Sequence, residues 1–399
     1  MALNFYFDHV TEVGVPYPNL GHVVARPGQP QWHKFDDQWP FVSHFRPWLY
    51  LREAAQPTRL ITPNDQEPWE SAWYPIQLGW FDFCIDYIRQ IPDDTLKLIH
   101  QGKLKILFCY HEGDNPHKIV QRLEELQHAN GLADNSWRFI SSNSAASDLL
   151  NALYFNDHES FFRLVNRKQR AAWVNTTNHE LKYVFSCLVR RHQDWRLAFM
   201  ADLWHERLLD QSYWSYNTAE LPLIFDAESL PVNAALMPNL VAQVESFKTM
   251  TPKFCDDMTS DQHNNHTNVN TEAYTKSMCN IIFETNFDND SSGVFITEKT
   301  WKSIKFGQPF VVVSAAHTLK TLRNHGYKVF DDVIDNSYDE IVDNTQRWKQ
   351  IVNTLKQIKS RDAAEWWRSC HADMLHNQKL FEKRRTSAVA DLVEFLKHE

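Results

Sequence analysis

The chain has 399 residues, 43% of them hydrophobic, 23% charged and 13% aromatic, which is material for two packed domains and argues against a disordered chain. A net charge of −9 gives no overall attraction to nucleic acid or anionic membranes. The ten glycines form neither G-x-G-x-x-G nor G-x-x-x-x-G-K-[ST], which excludes glycine-rich dinucleotide and P-loop cradles. Six scattered cysteines without a C-x-x-C pair predict buried free thiols. The lack of a signal-like N-terminus or a window of about 18 apolar residues predicts a cytoplasmic protein with no membrane span.

In chain order, residues 1–75 predict short strands and loops, and 77–92 a helix ended by Pro92. The apolar run 103–110 reads as a buried parallel strand, followed by a polar turn at His111, Glu112, Gly113 and Asp114 and by an amphipathic helix over 118–128. A strand at 137–141 and a helix at 145–153 complete an alternation expected of a doubly wound α/β domain. Residues 160–180 read as a linker. A second α/β unit then starts with a strand at 183–188, a turn at Arg190 and Arg191, and a helix through Leu197, Met200, Ala201, Trp204 and Leu208. The Asn-rich stretch 255–272 predicts a long surface loop. Its His263 and His266 lack a third ligand at a metal-like spacing. From 280 the pattern is strand (280–283), loop, helix (297–306), strand (310–314), helix (317–325) and strand (327–330), then amphipathic helices over 340–357 and 376–397.

Three clusters carry candidate chemistry. Thr297 is a good helix N-cap and Glu298 suits the positive helix end, but Lys299 opposes the dipole at a cost of a few tenths to about 1 kcal/mol. A bound anion removes that conflict: the helix start and the ammonium together grip a phosphate, while Glu298 accepts ribose hydroxyls. The plain alternative is a surface Glu–Lys pair. The second cluster is basic. Between 163 and 196 there are eight Lys and Arg against Glu180 and Asp194. Arg190 and Arg191 directly follow a strand, where open α/β sheets place ligand contacts, and Arg196 lies on the next helix; a solvated basic face is the alternative. The third is the turn after 103–110, where Glu112, Asp114 or His111 can act as a general base, or where Asp114 simply caps the helix. Asp288 and Asp290 formally make a D-x-D, read here as a solvated turn, so no metal site is expected. Trp204, His205 and Glu206 have Leu209 where a zinc motif needs a second histidine.

Glu284, Thr285 and Asn286, a gap, and then Val294 through Trp301 with Thr297, Glu298 and Lys299 at the centre resemble the donor-binding signature of fucosyltransferase-like glycosyltransferases. Thr285, Asn286 and Phe295 stand where that signature has Asn, Ser and Tyr. The stretch 307–335 and the Arg190, Arg191, Arg196 turn resemble phage and bacterial proteins linked to the same superfamily. The resemblance covers about 180–340. It implies an α/β GT-B-like fold, two facing Rossmann-like domains with a helical C-terminal tail. It divides the chain into an acceptor-side domain over 1–175, a nucleotide-sugar domain over 176–357 and C-terminal helices over 358–399 that pack back on the first. It implies an inverting glycosyltransferase with a GDP- or UDP-linked sugar as substrate, no cofactor and no essential metal. Glu298 would hold the ribose, Lys299 the diphosphate, and Glu284 would sit at the donor cleft. The acceptor stays open: a glycan, small molecule, protein or nucleic acid. So do two other functions, a non-catalytic nucleotide- or glycan-binding scaffold and a transferase that modifies nucleic acid.

Overall fold

In the computed structural model, residues 2–8, 46–65, 69–78, 81–165, 181–216, 224–251, 271–288 and 293–397 are described. They fall into two compact units. One gathers those of Met1–Leu164, Ser291–Gly293 and Arg384–Glu399, the other those of Val165–Asp290 and Val294–Lys383.

The first unit is built on a parallel sheet of β1 (Leu3–Tyr6), β2 (Thr58–Ile61), β3 (Ala72–Leu78), β4 (Leu104–Tyr110), β5 (Trp137–Ser141) and β6 (Ala152–Tyr154), in the order β2-β1-β3-β4-β5-β6. β4 is the apolar run of the sequence, buried at every position but one, as a strand covered on both faces must be. Ile106, Phe108 and Tyr110 pack with Tyr74, Ile76 and Leu78 of β3 and with Ile119, Leu123 and Leu126 of the helix Pro116–Ala129. Helices Arg46–Glu53, Asp93–His100 and Asp157–Val165 complete the unit.

The second unit carries a parallel sheet of β7 (Tyr183–Val189), β8 (Tyr213–Tyr216), β9 (Ser277–Phe283) and β10 (Phe310–Val313), in the order β10-β9-β7-β8. β9 is buried at every position, polar ones included. Asn280 is tolerated there because Ser186 Oγ donates to its Oδ1 at 3.1 Å and its Nδ2 donates to Ser303 Oγ at 2.7 Å. The helices of this unit are α5 (Asp194–His205), α6 (Leu240–Lys248), α7 (Thr271–Thr275), α8 (Glu298–Phe306), α9 (Thr318–Asn324) and α10 (Asn344–Lys359), with the four of the first unit counted before them. α8 stops at Gly307, whose φ of 66° is the left-handed cap that suits glycine; a Cβ there would lie 2.8 Å from Gln378 Nε2. The long α11 (Ala363–Lys397) ends the chain. Both units are therefore mixed α/β with parallel sheets, and the C-terminal region is helical.

Three expected elements differ. Gln77 and Leu78 finish β3, paired with Cys109 and Tyr110, and the described residues after them form turns instead of a helix. Aspartates take the local backbone: Asp82 Oδ1 accepts from Cys84 N at 2.8 Å, and Asp86 Oδ1 from Ile88 N and Arg89 N at 3.1 and 3.0 Å. The expected helix 145–153 is a 3-10 turn, Ser144–Asp148, followed by the edge strand β6. Residues 327–330 join no ladder. Asn377, from α11, takes both backbone groups of Lys328 at 2.8 Å, as a neighbouring strand would. Of the expected linker 160–180, residues up to Val165 belong to a helix and 166–180 lie outside the described residues. So do His263, His266, Asp290 and the loop 255–272 apart from its last two residues, which begin α7.

Candidate functional site

In the second unit the connection β7→β8 runs to one side of β7, and β8→β9 crosses back to the other. The crevice between the carboxyl ends of β7 and β9 is therefore the topological switch point, where open α/β sheets bind ligands. Arg190 follows β7 immediately and Glu284 follows β9 immediately. The start of α8, with Glu298 and Lys299, and that of α5, with Arg196, open beside them, as their contacts show.

Glu284 differs from the expectation that it lines the donor cleft. It is 0% exposed. Its Oε1 accepts from Thr297 N at 3.1 Å and Thr300 Oγ1 at 2.6 Å, and its Oε2 from Thr297 Oγ1 at 2.7 Å. Thr297 is the N-cap residue of α8, yet its side chain makes no cap hydrogen bond; it donates to Glu284 instead. Glu284 thus anchors the helix start from within the sheet. Its carbonyl also accepts from Arg196 Nη2 at 2.7 Å.

The outer side of this anchor is cationic. Lys299 Nζ donates to Thr297 Oγ1 at 2.8 Å and lies 3.6 Å from Glu298 Oε1. Arg196 is only 4% exposed, its Nη1 reaches Arg191 O at 3.4 Å, and its Nε makes no hydrogen bond. Burial pushes its guanidinium down to about 10, against the pull of Glu284 and other anions. Burial and then the neighbouring Arg191 lower Arg190, while Glu298 opposes the shift. Lys302, one turn along α8, is lowered by burial and by Lys299 and Arg190, and Glu298 opposes this too. Five cations (Arg190, Arg191, Arg196, Lys299, Lys302) thus gather with two carboxylates, one of them sealed inside. Such a site is electrostatically suited to a multiply charged anion. Lys302 escaped the sequence reading, although its spacing from Glu298 and Lys299 puts all three on one helix face.

The catalytic candidates lie in the first unit. Gln77 Nε2 donates to Cys109 O at 3.2 Å and lies within hydrogen-bond distance of His111 Nδ1, at 3.1 Å. The other ring nitrogen, His111 Nε2, lies 3.8 Å from Glu112 Oε1. Glu112 keeps 40% of its side chain exposed. Asp114 does not cap the following helix; Asn115 does, accepting from His117 N at 2.9 Å, while Asp114 is held by the Tyr110 hydroxyl.

Asp288 Oδ1 accepts from Asn344 Nδ2 at 3.1 Å. Among the described residues no group of three or more His, Cys, Asp or Glu is placed to hold a metal ion, and no helix is long and apolar enough to cross a membrane. His205 ends α5 and belongs to a helix face. Cys109, Cys187, Cys279 and Cys370 are buried free thiols, and Cys84 is exposed. No protein-family model matches the chain, and no curated protein matches it.

Proposed function

We propose that the chain is a fucosyltransferase-like GT-B glycosyltransferase that moves a sugar from a nucleoside-diphosphate donor to an acceptor hydroxyl, with inversion and without a metal. The observation that carries this reading is the cationic cluster at the β7/β9 switch point, arranged around a helix start that Glu284 fixes from behind. Lys299, Arg190 and Arg191 hold the diphosphate and stabilise it as it leaves the anomeric carbon. Arg196 braces the loop through Glu284 O and adds its field. Glu298 accepts the ribose hydroxyls. Glu112, whose side chain is 40% exposed, takes the acceptor proton as the acceptor oxygen bonds to the anomeric carbon.

A panel of GDP- and UDP-sugars assayed for release of the nucleoside diphosphate, with EDTA present, tests this. Turnover with at least one donor is expected, and Glu112→Gln should lower it by about 10²–10⁴-fold with little change in donor affinity. Nucleotide binding without turnover on any acceptor would favour a binding protein that keeps the fold. Turnover that requires Mn²⁺ would contradict the metal-free leaving-group account.

A further inference from the structure

Lys302 is a partly buried lysine that makes no hydrogen bond or ion pair among the described residues. It sits three residues after Lys299 and four after Glu298 on α8, so the three side chains share a face. Its ammonium is within charge reach of Glu298, Lys299 and Arg190. Three cations held this close repel one another, and Glu298, its side chain 15% exposed, offsets one of them. Among the described residues Glu298 is the one carboxylate that draws on the charge of Lys302, and no hydrogen bond holds its ammonium. A partly buried ammonium without a hydrogen-bonded partner is costly to keep, and an anion from outside repays that cost. Arg196 repeats the pattern, with a buried Nε that has no partner and a charge that also reaches Glu298.

We infer that Lys302 is a further ligand of the diphosphate, beside Lys299 and Arg190, and that it makes the site discriminate diphosphates from monophosphates. This rests on the donor site proposed above and extends it to a residue outside the Thr297–Lys299 motif. A monophosphate is satisfied by the helix start and Lys299; the second phosphoryl group requires Lys302.

The test is calorimetric titration of wild type, Lys302→Gln and Lys305→Gln with UDP, GDP, UMP, GMP and inorganic pyrophosphate. Lys305, on the same helix, is the control: its neighbouring charge is Glu382, outside this cluster. Lys302→Gln should weaken both nucleoside diphosphates and pyrophosphate by about tenfold or more, the usual effect of losing a charge-assisted contact. It should leave the monophosphates within about twofold, and Lys305→Gln should change nothing. Lys302→Arg, which keeps the charge, should recover part of the loss and guards against a folding artefact. Unchanged diphosphate affinity in Lys302→Gln, or an equal loss for monophosphates, overturns the inference. If wild type binds pyrophosphate in a Lys302-dependent way but no nucleotide, the role of Lys302 stands and the nucleotide-sugar reading falls. If wild type binds neither, both fall.

Discussion

At the scale of single residues, the site separates two jobs that the sequence motif runs together. Glu284 is internal: three donors converge on a carboxylate with no exposure. Glu284→Gln keeps the volume but turns one acceptor oxygen into a donor facing other donors. It should destabilise the protein by about 1–3 kcal/mol in denaturant unfolding, the penalty for a buried unsatisfied group. Lys299 is external. About a third of its side chain is exposed; its ammonium donates to Thr297 Oγ1 and lies 3.6 Å from Glu298 Oε1. Lys299→Ala should leave unfolding within about 0.5 kcal/mol of wild type. It should also weaken GDP or UDP binding by about 1.5–3 kcal/mol, measured by titration. A large stability loss without an affinity loss would make Lys299 structural. From sequence, Thr297, Glu298 and Lys299 stand out because a cation in a first helical turn is anomalous. The inward role of Glu284 does not, because it depends on Thr300, sixteen positions away and brought back by a loop and a helix turn.

At the scale of elements, the helix after β4 shows how local chemistry is assigned to the wrong neighbour. Asp114 and Asn115 are both good caps by type. The Tyr110 hydroxyl claims Asp114, which leaves Asn115 at the cap with Pro116 at the first helical position. Asn115→Ala should therefore cost about 1 kcal/mol of stability, and Asp114→Asn clearly less, in thermal or denaturant unfolding. The reverse order would return the cap to Asp114. Strands β4, β5, β7, β9 and β10 were legible because buried parallel strands are continuous apolar runs. β3 was not, since its last two residues run into a stretch with helix-like apolar spacing that Asp82 and Asp86 then break into turns. Residues 327–330 have strand-like composition, but the decisive partner is the side chain of Asn377, a long-range contact that no local pattern reveals. The switch point was partly legible: two arginines after a strand mark a ligand-binding end, yet the strand order that makes it a crevice is a property of the sheet.

At the scale of the whole molecule, the last stretch of α11 is part of the first unit. Leu396 O accepts from Trp73 Nε1 at 3.2 Å, Phe395 O accepts from Arg138, and Arg384 Nε pairs at 3.0 Å with Glu159, which is 1% exposed. Deleting 384–399 strips a buried carboxylate of its cation, a change that typically costs about 3–5 kcal/mol. Calorimetry of the truncated chain should show the first unit unfolding at lower temperature and the second shifted much less. Equal shifts in both would mean that the segment supports the units alike.

The proposed function requires that the β7/β9 crevice and the start of α8 hold a diphosphate. A crystal structure grown with GDP or UDP in the presence of EDTA tests it most directly. The diphosphate is expected at the first turn of α8, at about 3 Å from Lys299 Nζ and an Arg190 nitrogen, with Glu284 still buried behind Thr297. A nucleotide bound elsewhere, or a diphosphate whose oxygens touch neither Lys299 nor Arg190, would contradict it.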